Sequence, residues 1–150
     1  MMTFAHQPVL QLFALCCAVL VVTLYALGFF TAKKRADRKA VINPEDVKVN
    51  SGAQIVDTEH PDVQRIKRAH LNALENAVPF FVIGFLYTLT EPSMTMASVL
   101  FLTFVGIRLF HAIFYLSAKQ PFRTASFAVG AIVNLVMVVQ VIRGALPGLL

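Results

Sequence analysis

The sequence predicts an all-α fold, a bundle of four transmembrane helices, on three observations. Hydrophobic residues make up 57% of the 150 residues and charged residues only 14%, where a soluble domain carries about 25% charge. Mean hydropathy is +0.70. Four stretches also reach the roughly 20 predominantly apolar residues that a helix needs to cross a bilayer.

The first span is expected from about Val9 to Thr31 and holds no charge. It is longer than a signal-peptide core, has no Lys or Arg on its amino-terminal flank and ends on no A-x-A site, so it reads as a retained helix. Cys16 and Cys17 lie within it and point about 100° apart on a helix, as apolar packing residues rather than a disulfide or a nucleophile. The second span, about Asp62 to Thr90, opens with polar turns; the third, about Met94 to Ser117, contains Arg108 and His111; the fourth runs from about Phe122 to Arg143. Residues 1–150 are thus expected to form a single integral membrane domain. Glu91-Pro92-Ser93 and Ala118-Lys119-Gln120-Pro121 are short links, which makes the last three helices antiparallel neighbours. The one long connection, Ala32 to Pro61, is polar and carries the turn signals Asn43-Pro44 and Ser51-Gly52.

The net charge of +5 is unevenly placed. Lys33, Lys34, Arg35, Arg38, Lys39, Lys48, Arg65, Lys67 and Arg68 sit in or beside the first loop, and Lys119 and Arg123 flank the third. The positive-inside rule puts these loops in the cytoplasm and both termini on the other side. A basic patch that hugs a membrane face is a topological signal, which argues against a nucleic-acid partner. No metal-ligating cluster is implied.

Chemistry concentrates in polar stripes inside the spans. Arg65, Arg68, Asn72 and Glu75 fall on one face of the second helix, and His70 lies off it. Arg108, His111 and Tyr115 lie within about 60° of one another on the third, and Arg123, Ser126, Gly130 and Asn134 share a face of the fourth. Ions at the bilayer centre cost several kcal/mol each, so these groups must face protein or a polar ligand. Mutual pairing, for example of Glu75 with Arg108 or Arg68, would satisfy some of them. Arg35, Arg68, Arg108 and Arg123 nevertheless outnumber Glu75, the one carboxylate expected within the membrane, and buried excess positive charge calls for an anion. Arg forks suit carboxylates. Gly130 is expected to admit a neighbouring backbone. Pro79 is expected to kink the second helix and free the carbonyl of Glu75.

At these residues the chain resembles the MAPEG family of membrane-associated glutathione enzymes. The matching motifs are Arg68-Ala-His70-x-Asn72-x-x-Glu75-x-x-x-Pro79-Phe80, Asn43-Pro44-Glu45-Asp46, Arg108-x-x-His111-x-x-x-Tyr115 and Pro121-x-Arg123, in register across nearly the whole chain. The resemblance implies a four-helix protomer, a homotrimer, and glutathione bound as co-substrate between protomers near the cytoplasmic face. It implies a glutathione site of Arg35, Arg68, Asn72, Glu75, His111, Tyr115 and Arg123. Glu75 then suits the glutathione ammonium and Arg35 and Arg68 its carboxylates. Arg123 is placed to hold the sulfur as thiolate, with Arg108 as the other candidate for that catalytic role. A nearby cation lowers a thiol pKa from about 8.5.

Within the family, Leu71 and Phe127 resemble the microsomal glutathione transferase branch, where the prostaglandin E synthase branch carries arginine and tyrosine. Thr124 stands where that second branch has a serine thought to work with an aspartate matching Asp46. The expected activity is therefore a membrane glutathione transferase acting on apolar electrophiles from the bilayer, with peroxidase activity on lipid hydroperoxides. A glutathione-dependent isomerase of an oxygenated lipid and a small proton-coupled transporter built on Glu75 are the alternatives. The membrane is expected to be an endoplasmic reticulum or a bacterial inner membrane, with the active site facing the cytoplasm.

Overall fold

The computed structural model describes residues 7–148. It contains four long helices: α1 (Pro8–Arg38), α2 (Pro61–Thr88), α3 (Met94–Leu116) and α4 (Phe122–Ala145), each long and apolar enough to cross a membrane. Three of the four expected spans match these helices to within two residues at each end. The exception is α1, which continues seven residues beyond the expected Thr31. Ala32–Arg38 is rich in Ala, Lys and Arg, good helix formers that carry the helix out of its apolar segment. It ends where Lys39 turns into the left-handed region at φ 47° and its N–H bonds back to the Ala36 carbonyl at 3.1 Å.

The remainder of the long connection is ordered by short pieces. Residues Ala40–Val41 (β1) and Gln54–Ile55 (β2) pair in parallel, and Pro44–Lys48 forms a 3-10 turn between them. At the start of α2, the His60 Nδ1 accepts from the Asp62 N–H at 3.2 Å and Pro61 occupies the first turn, where its missing donor costs nothing. The Ser93 hydroxyl caps α3 by accepting from the Met96 N–H at 3.3 Å.

The helices α2 and α3 form the centre. Each touches the other, and both touch α1 and α4, while α1 and α4 share no packing contact among the described residues. One half of the bundle holds an aromatic core. The Phe80 and Phe104 rings stack with centroids 4.3 Å apart, and Phe13 and Phe101 close around them at 5.4–5.9 Å. Gly84 makes room for this cluster, because a Cβ there would lie 2.6 Å from Phe13 Cε2. Cys16 is buried and Cys17 half-buried against the same core, both as free thiols. The other half of the bundle is polar.

Candidate functional site

The polar half centres on a cleft of ≈ 250 Å³ lined by Asn72 from α2, His111 and Tyr115 from α3, and Arg123, Thr124 and Phe127 from α4. Four of the seven residues expected to bind glutathione therefore meet in one place. The α3–α4 turn sets their relation. Ala118 adopts φ 57°, its N–H bonds to the Tyr115 carbonyl at 3.2 Å, and the Lys119 N–H bonds to the Phe114 carbonyl at 2.9 Å. This pair of bonds ends α3 abruptly and brings Arg123, in the first turn of α4, beside Tyr115.

Arg123 is held on two sides. Its guanidinium carbon lies 4.7 Å from the Tyr115 ring centroid, a cation–π distance. The Gln120 amide, turned so that its oxygen faces the guanidinium, accepts from Arg123 Nη2 at 2.7 Å and Nε at 3.2 Å while its nitrogen donates to Thr124 Oγ1. Neither partner removes the positive charge. The α4 amino terminus adds its own partial positive charge at this point.

His111 is fixed by backbone chemistry. Its Nδ1 lies 3.0 Å from the Arg123 carbonyl and 3.0 Å from Ser126 Oγ. A carbonyl only accepts, so Nδ1 is the donor, and in the neutral ring Nε2 carries the lone pair. That Nε2 is buried and has no partner among the described residues.

Arg108 does not line the cleft. It is buried, with Nη2 donating to Asn72 Oδ1 at 2.7 Å and to the Asn72 carbonyl at 3.4 Å. The Arg108 side chain thereby anchors Asn72 from behind. Its Nη1 and the Oδ1 of Asn134 are both buried without a partner among the described residues. The sequence leads one to expect a backbone packed on Gly130. The structure instead puts the Arg108 side chain there, 3.4 Å from where a Cβ would stand.

The other three expected residues lie off the cleft in this protomer. Arg68 and Glu75 are exposed on α2; Arg68 donates to Gln64 at 3.4 Å, and Glu75 pairs with neither Arg108 nor Arg68. The buried carboxylate is Glu59, only 4% exposed at its side chain. It receives Arg35 Nε at 2.6 Å and Lys67 Nζ at 2.8 Å, tying α1 to α2. Burial alone would push the Glu59 carboxyl up, but hydrogen bonds and charge from Lys67 and Arg35 outweigh it and hold it below the ordinary carboxylate range. Glu59 was legible in the sequence only as one acid of a polar loop. Asp46 accepts from Asn43 at 3.3 Å in the 3-10 turn and is not among the cleft's lining residues. The α2 helix runs uninterrupted through Pro79.

The chain is similar to known proteins over most of its length. Over 145 residues the chain is 38% identical to microsomal glutathione S-transferase 1 of Rattus norvegicus, covering 93% of each protein. The Homo sapiens protein of the same name is 38% identical over 144 residues, with the same coverage. Prostaglandin E synthase of Homo sapiens is 33% identical over 137 residues, covering 91% of this chain and 90% of that protein. The MAPEG family pattern matches residues 13–143. The four apolar helices, the polar cleft between α2, α3 and α4, and these similarities establish that the chain is an integral membrane protein belonging to the MAPEG family.

Proposed function

We propose that this protein is a membrane glutathione transferase whose cleft binds glutathione and keeps its sulfur ionised. The observation that carries this reading is Arg123, a charged guanidinium clamped by Tyr115 and Gln120 in the lining of the cleft. Glutathione is a fitting ligand. It brings two carboxylates, one ammonium and a thiol to a cleft whose lining offers the Arg123 guanidinium, the Asn72 amide and the Tyr115 and Thr124 hydroxyls. Arg123 lowers the thiol pKa, the proton leaves to water, and the thiolate attacks the electrophilic carbon. A sulfur–carbon bond forms as the leaving group departs with the bonding pair. With a lipid hydroperoxide, two glutathiones are oxidised to the disulfide and the peroxide is reduced to alcohol and water. In this reading Arg108 acts through Asn72 by positioning it.

Arg35, Arg68 and Glu75 enter the same reading through assembly. Glu75 stands on an exposed face of α2 beside exposed Leu74 and Val78, and a carboxylate at that depth is costly against lipid. A homotrimer would cover this face and bring Arg68 and Glu75 to a neighbouring protomer's cleft, Glu75 taking the glutathione ammonium and Arg35 and Arg68 its carboxylates. The cleft would open to the cytoplasm, at the basic ends of the helices, in an endoplasmic reticulum or bacterial inner membrane. The apolar electrophile would arrive laterally from the bilayer.

A second reading, isomerisation of an oxygenated lipid with glutathione as cofactor, is favoured by the Thr124 hydroxyl on the cleft wall and by the similarity to prostaglandin E synthase. One experiment separates the outcomes. The purified protein is titrated with glutathione while thiolate absorbance in the ultraviolet is followed, and then given an aryl halide or a lipid endoperoxide. Thiolate formation with aryl conjugation supports the transferase. Turnover of the endoperoxide alone supports the isomerase. Absence of any thiolate signal removes both mechanisms based on an ionised thiol.

A further inference from the structure

A second and larger cleft, ≈ 600 Å³, lies among α1, α2 and the end of α3, and its lining shares no residue with the Arg123 cleft. Its volume falls in the range of small-ligand sites. Part of its lining is cationic: Lys33 and Lys34 from α1 and Arg65 from α2. None of the three is in an ion pair among the described residues, and Asp62, an acid that also lines the cleft, is paired with Arg38. Asp37 is the remaining acid of the lining, so the cleft keeps an excess of positive charge. Phe30, Ile66 and Leu116 are the apolar part of the lining.

The helix registers fix its depth. Phe30 is in the last wholly apolar turn of α1, immediately before the run of charges that begins at Lys33. Leu116 is the final residue of α3, and Ile66 lies in the second turn of α2. Three independent helices therefore place the cleft where hydrocarbon gives way to headgroups. A lipid anion bound here would have ammonium and guanidinium groups for its phosphate and apolar side chains for its acyl chains within one lining.

We propose that this cleft is a specific site for the phosphate of an anionic phospholipid, with Lys34 and Arg65 holding the phosphodiester and Phe30, Ile66 and Leu116 packing the first carbons of its acyl chains. Basic side chains just outside a membrane helix attract anionic lipid in general. The concave shape and the apolar residues in the same lining turn that attraction into a site. The proposal is independent of the glutathione reading.

The test uses the full-length protein reconstituted in bilayers containing equal parts of phosphatidylglycerol and phosphatidylcholine, then extracted into detergent. Native mass spectrometry counts the lipids that remain bound. The wild-type protein should retain phosphatidylglycerol over phosphatidylcholine by about tenfold, with retention falling as salt is raised. The double variant Lys34→Gln/Arg65→Gln should lose that preference. The variant Lys48→Gln/Lys119→Gln, which removes the same charge outside the cleft, should keep it. Equal retention of the two lipids by the wild type would overturn the proposal without reference to any variant. Equal loss in both double variants would also overturn it, since a diffuse surface potential would then explain the binding. Displacement of the lipid by millimolar inorganic phosphate or glutathione would assign the cleft to a soluble anion instead.

Discussion

At the scale of single residues, Arg123 and Glu59 make opposite uses of charge. Arg123 is fixed by an aromatic face and an amide, which hold it without neutralising it, so its charge stays available to an anion in the cleft. Arg123→Leu should lower turnover by about 10²–10³-fold, the range for removing one donor that stabilises a developing anion. Glutathione affinity should change far less, and the pH–rate profile should move to higher pH, each unit being about 1.4 kcal/mol. Arg123→Lys should recover part of the rate, because a point charge survives while the fork is lost. Steady-state kinetics across pH read all three. Glu59 instead is a single carboxylate shared by two cations, Arg35 and Lys67, whose excess charge it does not cancel. Because its folded-state pKa is depressed, its contribution to stability is fully present above the unfolded value of about 4.3. That contribution is lost as pH falls through the lower, folded value. Glu59→Gln should therefore destabilise by roughly 1–2 kcal/mol at neutral pH, less than a wholly buried pair, since Arg35 and Lys67 are 30% and 47% exposed and partly screened. Thermal unfolding of both proteins should show that gap at neutral pH and see it shrink as pH falls below the unfolded value of about 4.3. Asn72, His111, Tyr115 and Arg123 were legible in the sequence because helical spacing places each on a polar stripe. Glu59 was not, because no periodicity crosses the irregular connection that carries it to Arg35.

At the scale of elements, helix identity followed from apolar length, and errors arose where charge and helix propensity disagree. The membrane-crossing part of α1 ends with its apolar run, but the helix itself does not, since Lys, Arg and Ala are compatible with helix in water as well as in lipid. The depth of that extension matters, for it carries Arg35 to Glu59. The role of Gly130 was legible as close approach but not as to what approaches, since sequence spacing within α4 says nothing of the Arg108 rotamer. Two substitutions test how tightly elements are joined. Gly84→Ala on α2 puts a methyl 2.6 Å from the Phe13 ring; overpacking there should cost about 1–3 kcal/mol, read as a lowered unfolding temperature. Ala118→Gly in the α3–α4 turn should have the reverse sign. Alanine at φ 57° carries a left-handed penalty of roughly 1–2 kcal/mol, of which glycine recovers part and gives back part as chain entropy. A gain of about 0.5–1 kcal/mol is expected, with glutathione binding unchanged.

At the scale of the whole molecule, the polar residues divide into two sets. Asn72, His111, Tyr115 and Arg123 face one cleft within the protomer, while Arg68 and Glu75 look outward from α2. If the site is shared in a homotrimer, each cleft draws the first set from one chain and the second from its neighbour, a consequence of closed cyclic symmetry. Glu75→Gln should weaken glutathione binding by about 2 kcal/mol, as expected for truncating one partner of a buried charge pair, and Arg123→Leu should abolish most turnover. Each homotrimer would then be defective at all of its sites. When the two variants are co-expressed, however, a site that takes Glu75 from an Arg123→Leu chain and Arg123 from a Glu75→Gln chain is wild type in composition. Random mixing in equal amounts makes about a quarter of the sites of this kind. Turnover at a glutathione concentration that saturates only intact sites should rise to about that fraction of wild type. If both sets of residues served one cleft within a single chain, no mixed assembly would contain an intact site. Activity would stay at the level of the separate variants, and the outward-facing Arg68 and Glu75 would need a partner other than a neighbouring protomer's glutathione.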